Sequence, residues 1–278
     1  MKKIKTRTAY ASPVKDPDYR FKKSFLKYDE NENLLEEEIY LNEGELESKS
    51  AFKYNEKGSV IEETSYMTYE EISETTRYTR DENDQIMETI VEYGDGSKTI
   101  KTHQKEGNRE TISFVDDDDE FEGKEIIEYD DKGNILEKTI INEDNIIEEK
   151  MVYEREGDRI IKRTEYGENG EFVAVYEYTY DHNDNLLERI GYNAKDEIIE
   201  SLYFTYDEDN NLVEQQLGDF YIVRLEYDEK GNVITEERCN LQGGLEHTTT
   251  YEYDEEGNIL KENAVLYNTI YEYEFYDE

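Results

Sequence analysis

The chain has 278 residues, with 73 acidic against 32 basic side chains and a net charge of −41. That balance disfavours contact with a nucleic-acid backbone or an anionic membrane surface and favours a basic protein partner. A lone cysteine, Cys239, excludes an intrachain disulfide framework, and three scattered histidines are too few for a catalytic or transition-metal constellation.

The first 27 residues hold nine Lys or Arg and two acids, a charge of +7 that leaves −48 on the rest. This leader, 1–27, is expected to lie along the acidic remainder as an end cap, and 28–278 forms a separate array. It lacks the apolar stretch of a signal peptide, and nowhere do 18 apolar residues run together, so a soluble cytoplasmic protein is expected.

From residue 28 onward one motif recurs. Tyr-Asp-x-x-Gly-Asn starts at Tyr129, Tyr227 and Tyr253, with looser copies at Tyr28, Tyr180 and Tyr206 and weaker ones at Tyr54, Arg80, His103 and Tyr153. Successive anchors lie 21 to 27 residues apart, which marks a repeat array and outweighs the disorder that a mean hydropathy of −1.04 suggests. The Asp reads as an Asx turn and the Gly as the left-handed residue of a three-residue hairpin loop. Asp184 and Asn210 fill the Gly slot tolerably; Glu32 does not, and a looser turn is expected there.

Each turn is followed by a short strand, a second loop of variable length, and a returning strand with period-two alternation. Phe172, Ala174, Tyr176, Tyr178 and Tyr180 share one face, as do Ile198, Leu202, Phe204 and Tyr206, and Tyr221, Val223, Leu225 and Tyr227. Side by side, these rows predict a stacked aromatic core that no hairpin buries alone. The fold class is therefore all-β, an array of about ten antiparallel hairpins. Strand twist coils so many strands into a spiral ribbon or solenoid, with a closed β-barrel as the alternative.

At residues such as Tyr251 to Asn258, Tyr-x-Tyr-Asp-x-x-Gly-Asn, the chain resembles the YD repeats of the RHS family, over about residues 28 to 277. The resemblance implies hairpins coiled into a spiral shell and a bacterial origin. RHS shells can enclose a toxic C-terminal segment; the longer period, the few repeats and the lack of a following toxin domain argue against carrying encapsulation over.

Asp29-x-Asn31-x-Asn33, Asp181-x-Asn183-x-Asn185 and Asp207-x-Asp209-x-Asn211 copy the start of a calcium loop. Leu34, Leu186 and Leu212 stand at the sixth position and Tyr40, Tyr192 and Gly218 at the twelfth, so turn chemistry explains them better. No cofactor, metal or catalytic residue is assigned, and Cys239 reads as packing. With the repeat anchors Tyr28, Tyr54, Tyr129, Tyr153, Tyr180, Tyr206, Tyr227 and Tyr253 taken as structural, function is expected in what varies. The acidic second loop Asp116, Asp117, Asp118, Asp119 and Glu120 is the candidate partner-binding segment. The expectation is a non-catalytic acidic protein that binds a basic partner, such as a toxin or nucleic-acid-binding enzyme that it inhibits. The alternatives are a surface YD-repeat protein, an adhesin or fibre fragment binding glycan or calcium, and an adaptor in a bacterial defence or secretion assembly.

Overall fold

In a computed structural model, which describes residues 2–41 and 44–277, the chain is a succession of antiparallel strands. They are β1 (Ile4–Pro13), β2 (Phe21–Tyr28), β3 (Leu34–Tyr40), β4 (Leu46–Tyr54), β5 (Val60–Tyr66), β6 (Ile72–Arg80), β7 (Ile86–Tyr93) and β8 (Lys98–Glu106). There follow β9 (Arg109–Asp116), β10 (Phe121–Tyr129), β11 (Ile135–Asn142), β12 (Ile147–Glu156), β13 (Arg159–Tyr166), β14 (Phe172–Tyr180) and β15 (Leu186–Asn193). The last are β16 (Ile198–Tyr206), β17 (Leu212–Leu217), β18 (Tyr221–Tyr227), β19 (Val233–Cys239), β20 (Leu245–Tyr253), β21 (Ile259–Asn263) and β22 (Tyr267–Phe275).

The chain divides into two compact units. The first, Met1–Ile100 with Tyr227–Thr235 and His247–Glu278, pairs β20 through β22 with β1, and β1 onward through β7. The second, Lys101–Glu226 with Glu236–Glu246, runs from β9 to β18 with each strand paired to the next. In the first unit β1 bonds β2 along one edge and β22 along the other, so the first and last strands in chain order are neighbours. The open spiral ribbon is corrected in the first unit by this pairing, which favours the closed alternative: β1 and β22 are each bonded on both sides, leaving neither as a free edge. The basic leader contributes β1 and β2 themselves, and Arg20, Lys22 and Lys23 pair with Glu272, Glu38 and Glu262.

Sequence explains the strands locally. β-Branched and aromatic residues fill them, and the ladder register slips beside the anchor in copy after copy, at Tyr28, Tyr54, Arg80, Tyr129, Tyr180, Tyr206 and Tyr253. That slip is the bulge of a three-residue hairpin loop. Glu32 takes φ 67° and its turn closes with the same bonds as the others, Asp29 N–H to the Asn33 carbonyl at 2.9 Å and Glu32 N–H to the Asp29 carbonyl at 3.1 Å. The expected loosening is absent because Asp29 and Asn33 fix the loop on both sides.

The aromatic core is only partly as expected. Most buried positions go to small or β-branched residues, among them Ala9, Ala11, Ala174, Thr64, Thr75, Thr89 and Thr269; the rings of Phe21 and Tyr40 are buried too, while Tyr176, Tyr178 and Tyr180 are half-buried and Phe172 is exposed. Tyr176 covers Gly191 so closely that a Cβ there would stand 2.7 Å from the ring. Charged side chains on the strands are absorbed by cross-strand pairs such as Lys49–Glu36, Arg77–Glu62, Lys138–Glu125, Lys150–Glu137 and Arg189–Glu200.

Candidate functional site

The Tyr-Asp turn resolves into a set of assigned hydrogen bonds. In the copy at Asp228, carboxylate Oδ1 accepts the N–H groups of Lys230 (2.9 Å) and Asn232 (2.8 Å), and Oδ2 accepts the Asn232 side-chain amide at 2.9 Å. Asp29, Asp130, Asp181, Asp207 and Asp254 repeat the arrangement with Asn33, Asn134, Asn185, Asn211 and Asn258. The amide from Asn232 and its equivalents holds Asp29, Asp130, Asp207, Asp228 and Asp254 below the usual carboxylate range. Both oxygens of each Asp are engaged within the turn. The calcium-like spacing is thus turn chemistry: a metal would have to displace these donors.

The anchor side chain reaches backwards. Tyr54, Tyr180 and Tyr253 donate their hydroxyls to the carbonyls of Leu34, Ile160 and Val233, each 20 residues earlier, at 2.7–2.8 Å. Each carbonyl belongs to the residue with which a post-turn strand begins or nearly begins, so the ring clasps one hairpin to the preceding one. Arg80 serves the same purpose on Val60, and Arg155 on Ile135. The Tyr153 anchor is corrected accordingly: its hydroxyl meets the Met151 sulfur, and Arg155 makes the clasp. His103 Nδ1 meets the Glu110 carboxylate at 3.2 Å. Lys105-Glu106-Gly107-Asn108-Arg109 and Arg155-Glu156-Gly157-Asp158-Arg159 are parallel two-residue turns, with Gly107 and Gly157 at φ 62° and 64°. Alignment on Tyr alone passes over them; the shared Lys/Arg-Glu-Gly-Asn/Asp-Arg is the signal that finds them. Tyr129 bonds the Glu110 carboxylate, and burial together with that acceptor pushes its phenol up to about 12. Tyr206 is half-buried with its phenol raised by burial, and the carbonyl of Tyr28 accepts from Tyr276.

Several second loops share that backbone, at Asp116, Asn142, Asn193 and Asn240, whereas those at Gly218 and Ala264 close differently. Asp116 Oδ1 accepts from Asp118 at 3.0 Å and Glu120 at 2.8 Å, and Asp119 takes φ 63°. Asp117, Asp118, Asp119 and Glu120 are exposed. Among the loops that share this turn, variation lies in the side chains.

One polar cluster escaped the sequence reading because its members come from three hairpins. Glu38, 7% exposed, accepts from Lys22 at 2.6 Å and from the Tyr40 hydroxyl, with Lys49 at 3.8 Å; Tyr69 donates to Tyr40 at 3.3 Å. Burial works against the Glu38 carboxylate, but Lys22 and Tyr40 together hold its titration below the ordinary range. Burial, then Glu38, drives the Tyr40 phenol upward. Lys22 also lies over the rings of Phe25 and Tyr40 at 4.7 and 4.6 Å. Every charge here is matched, so the cluster works as a fixed support. Cys239 is buried with Arg224 at 3.9 Å from its sulfur. Among the described residues no group of three or more His, Cys, Asp or Glu is placed to hold a metal ion.

No protein-family model matches the chain, and no curated protein matches it. Among solved structures it is similar to TcdB2-TccC3, with TM-score 0.43 and 10% identity over 87% of this chain. It is also similar to the Tc holotoxin pore of Photorhabdus luminescens (TM-score 0.36, 14% identity, 88% of this chain). The chain spans 16% of the length of each of those two proteins. A porin-like protein from Bacteroides uniformis is similar at TM-score 0.37 and 9% identity, with 98% of each chain covered. At these scores the fold rests on the chain's own strand pairings.

Proposed function

We propose that this chain is a non-catalytic acidic repeat protein, akin to RHS/YD repeats in its hairpins, that captures a basic protein through exposed carboxylates. The supporting observation is the surplus of charge. If all 32 bases were paired one to one, 41 of the 73 acids would still lack a basic partner. The turn at Asp116 spends one carboxylate on its own backbone and turns the next four acids to solvent. Carboxylates so arrayed compete with phosphate for the Lys and Arg of a nucleic-acid-binding enzyme or toxin, which makes inhibition in the cytoplasm the favoured outcome. An adaptor role in a bacterial assembly uses the same physics.

The test is retention of partners from lysate of the source organism at low and high salt, repeated with Asp117, Asp118 and Asp119 changed to Asn. Asn keeps the turn, since it tolerates positive φ. A basic protein held at low salt, released at high salt and weakened by the substitutions is expected; recovery of no basic partner at either salt ends the proposal.

A second reading, a surface YD-repeat protein, draws on a different observation. The second-loop ends of the strands expose large apolar side chains, with Phe220 82% and Ile198 62% exposed, as in a segment that packs within a larger assembly. Binding of glycan or calcium belongs to this reading. A rise of several degrees in melting temperature on adding calcium supports it.

A further inference from the structure

We infer that the first unit carries a binding site for a small aromatic amine, in the cavity at the second-loop end of β1 to β3. The cavity has a volume of about 220 Å³ and is lined by Ala11, Phe21, Lys23, Tyr40, Leu41, Glu47 and Tyr267. Three of these are rings, and Phe21 and Tyr267 meet edge-on with centroids 5.8 Å apart. A planar ring entering here finds faces and edges to stack on, which a purely aliphatic guest would not use.

The walls are held by the neighbouring framework. The Tyr40 hydroxyl is tied to Glu38 and Lys22, so its ring is already fixed before a guest arrives.

Charge selects the other end of the guest. Lys23, the single base in the lining, is 3.8 Å from Glu262 and is neutralised by it. Glu47, at the exposed rim, is in no ion pair among the described residues, which leaves one uncompensated negative charge in the lining. The mouth therefore attracts a cation and repels an anion. Ring inward and ammonium at Glu47 is the one orientation that satisfies both ends. The site does not depend on capture of a basic protein.

Tryptamine is the probe, because a chain with no Trp leaves the indole as the sole fluorophore excited at the red edge of the aromatic band. Titration of the full chain is expected to give saturable binding, with indole-3-acetate about tenfold weaker or worse. Glu47→Gln, at an exposed position, should shrink that preference to about twofold by the same relation. Ala11→Met fills the cavity from its wall and should abolish binding, with melting used to establish that the variant folds; if it does not, the Glu47 arm decides alone. Four results overturn the inference: no saturation, equal binding of the two indoles by the unaltered chain, an undiminished preference in Glu47→Gln, or competition by ethylamine as strong as by tryptamine. The last shows only that the acidic surface collects cations.

Discussion

Many hairpins use one backbone turn at both ends, for opposite purposes. At the Tyr-Asp end, Asp228 bonds two backbone N–H groups and the Asn232 amide; at the other end, Asn142 bonds Asp144 and Ile146 N–H groups, and Ile146 has no amide to return. The Tyr-Asp end is also stitched sideways to the next copy: Lys57 to the Glu82 carbonyl, Lys132 to Asp158, Asn183 to Asn210, Lys230 to the Glu255 carbonyl. The second-loop end instead exposes Met67, Ile198, Phe220, Leu245 and Leu266. A turn backbone needs only an Asx acceptor and a residue that tolerates positive φ. Everything added at the first end joins repeats to one another, and whatever is left bare at the second faces outward.

Acid should break this contrast most strongly, because it strikes every Tyr-Asp turn together. The turn aspartates titrate below their unfolded value of about 3.9, so their contribution is complete above that pH and is lost as pH falls through the folded values. Thermal melting followed from pH 6 downward is expected to hold or rise while self-repulsion eases, and then to drop below about pH 4. Next comes the clasp. Tyr180→Ala removes a half-buried ring and its bond to Ile160 and should cost about 3 kcal/mol in denaturant melts.

Tyr253→Phe keeps the ring and loses only the hydrogen bond to Val233, for about 1 kcal/mol. Glu32→Gly should move stability the other way by a similar amount, about 1 kcal/mol, since the left-handed backbone at φ 67° costs a Glu and not a Gly. The smallest effect belongs to the second end. Phe220→Ser and Ile198→Ser should stay within about 0.5 kcal/mol of the parent, because both side chains are exposed. A cost there comparable with that of Tyr180→Ala would mean the two ends are alike after all.

Much of the candidate site was legible. The Asx turn, the left-handed slot and the hairpin alternation follow from residues within six positions of one another, where sequence spacing and spatial distance are nearly the same thing. Arg80 was placed in its slot by spacing alone. Arg155 was passed over because a shortened turn shifts the slot by two residues from the nearest tyrosine, Tyr153. Glu38, Lys22, Tyr40, Lys49 and Tyr69 were not legible as a cluster, since neighbouring strands bring them together from 27 to 47 positions apart at the extremes.

The repeated hairpin is written into the order of residues, because turn chemistry and period-two alternation are local and recur in copy after copy. The acidic character is there as well, since it is a matter of counting. Tertiary structure alone decided that β1 meets β22, that tyrosines clasp backbone carbonyls 20 residues back, and that three aromatic side chains surround a cavity. The meeting of β1 with β22 depends on strand twist and on the register between distant segments of the chain, and no single repeat carries that information.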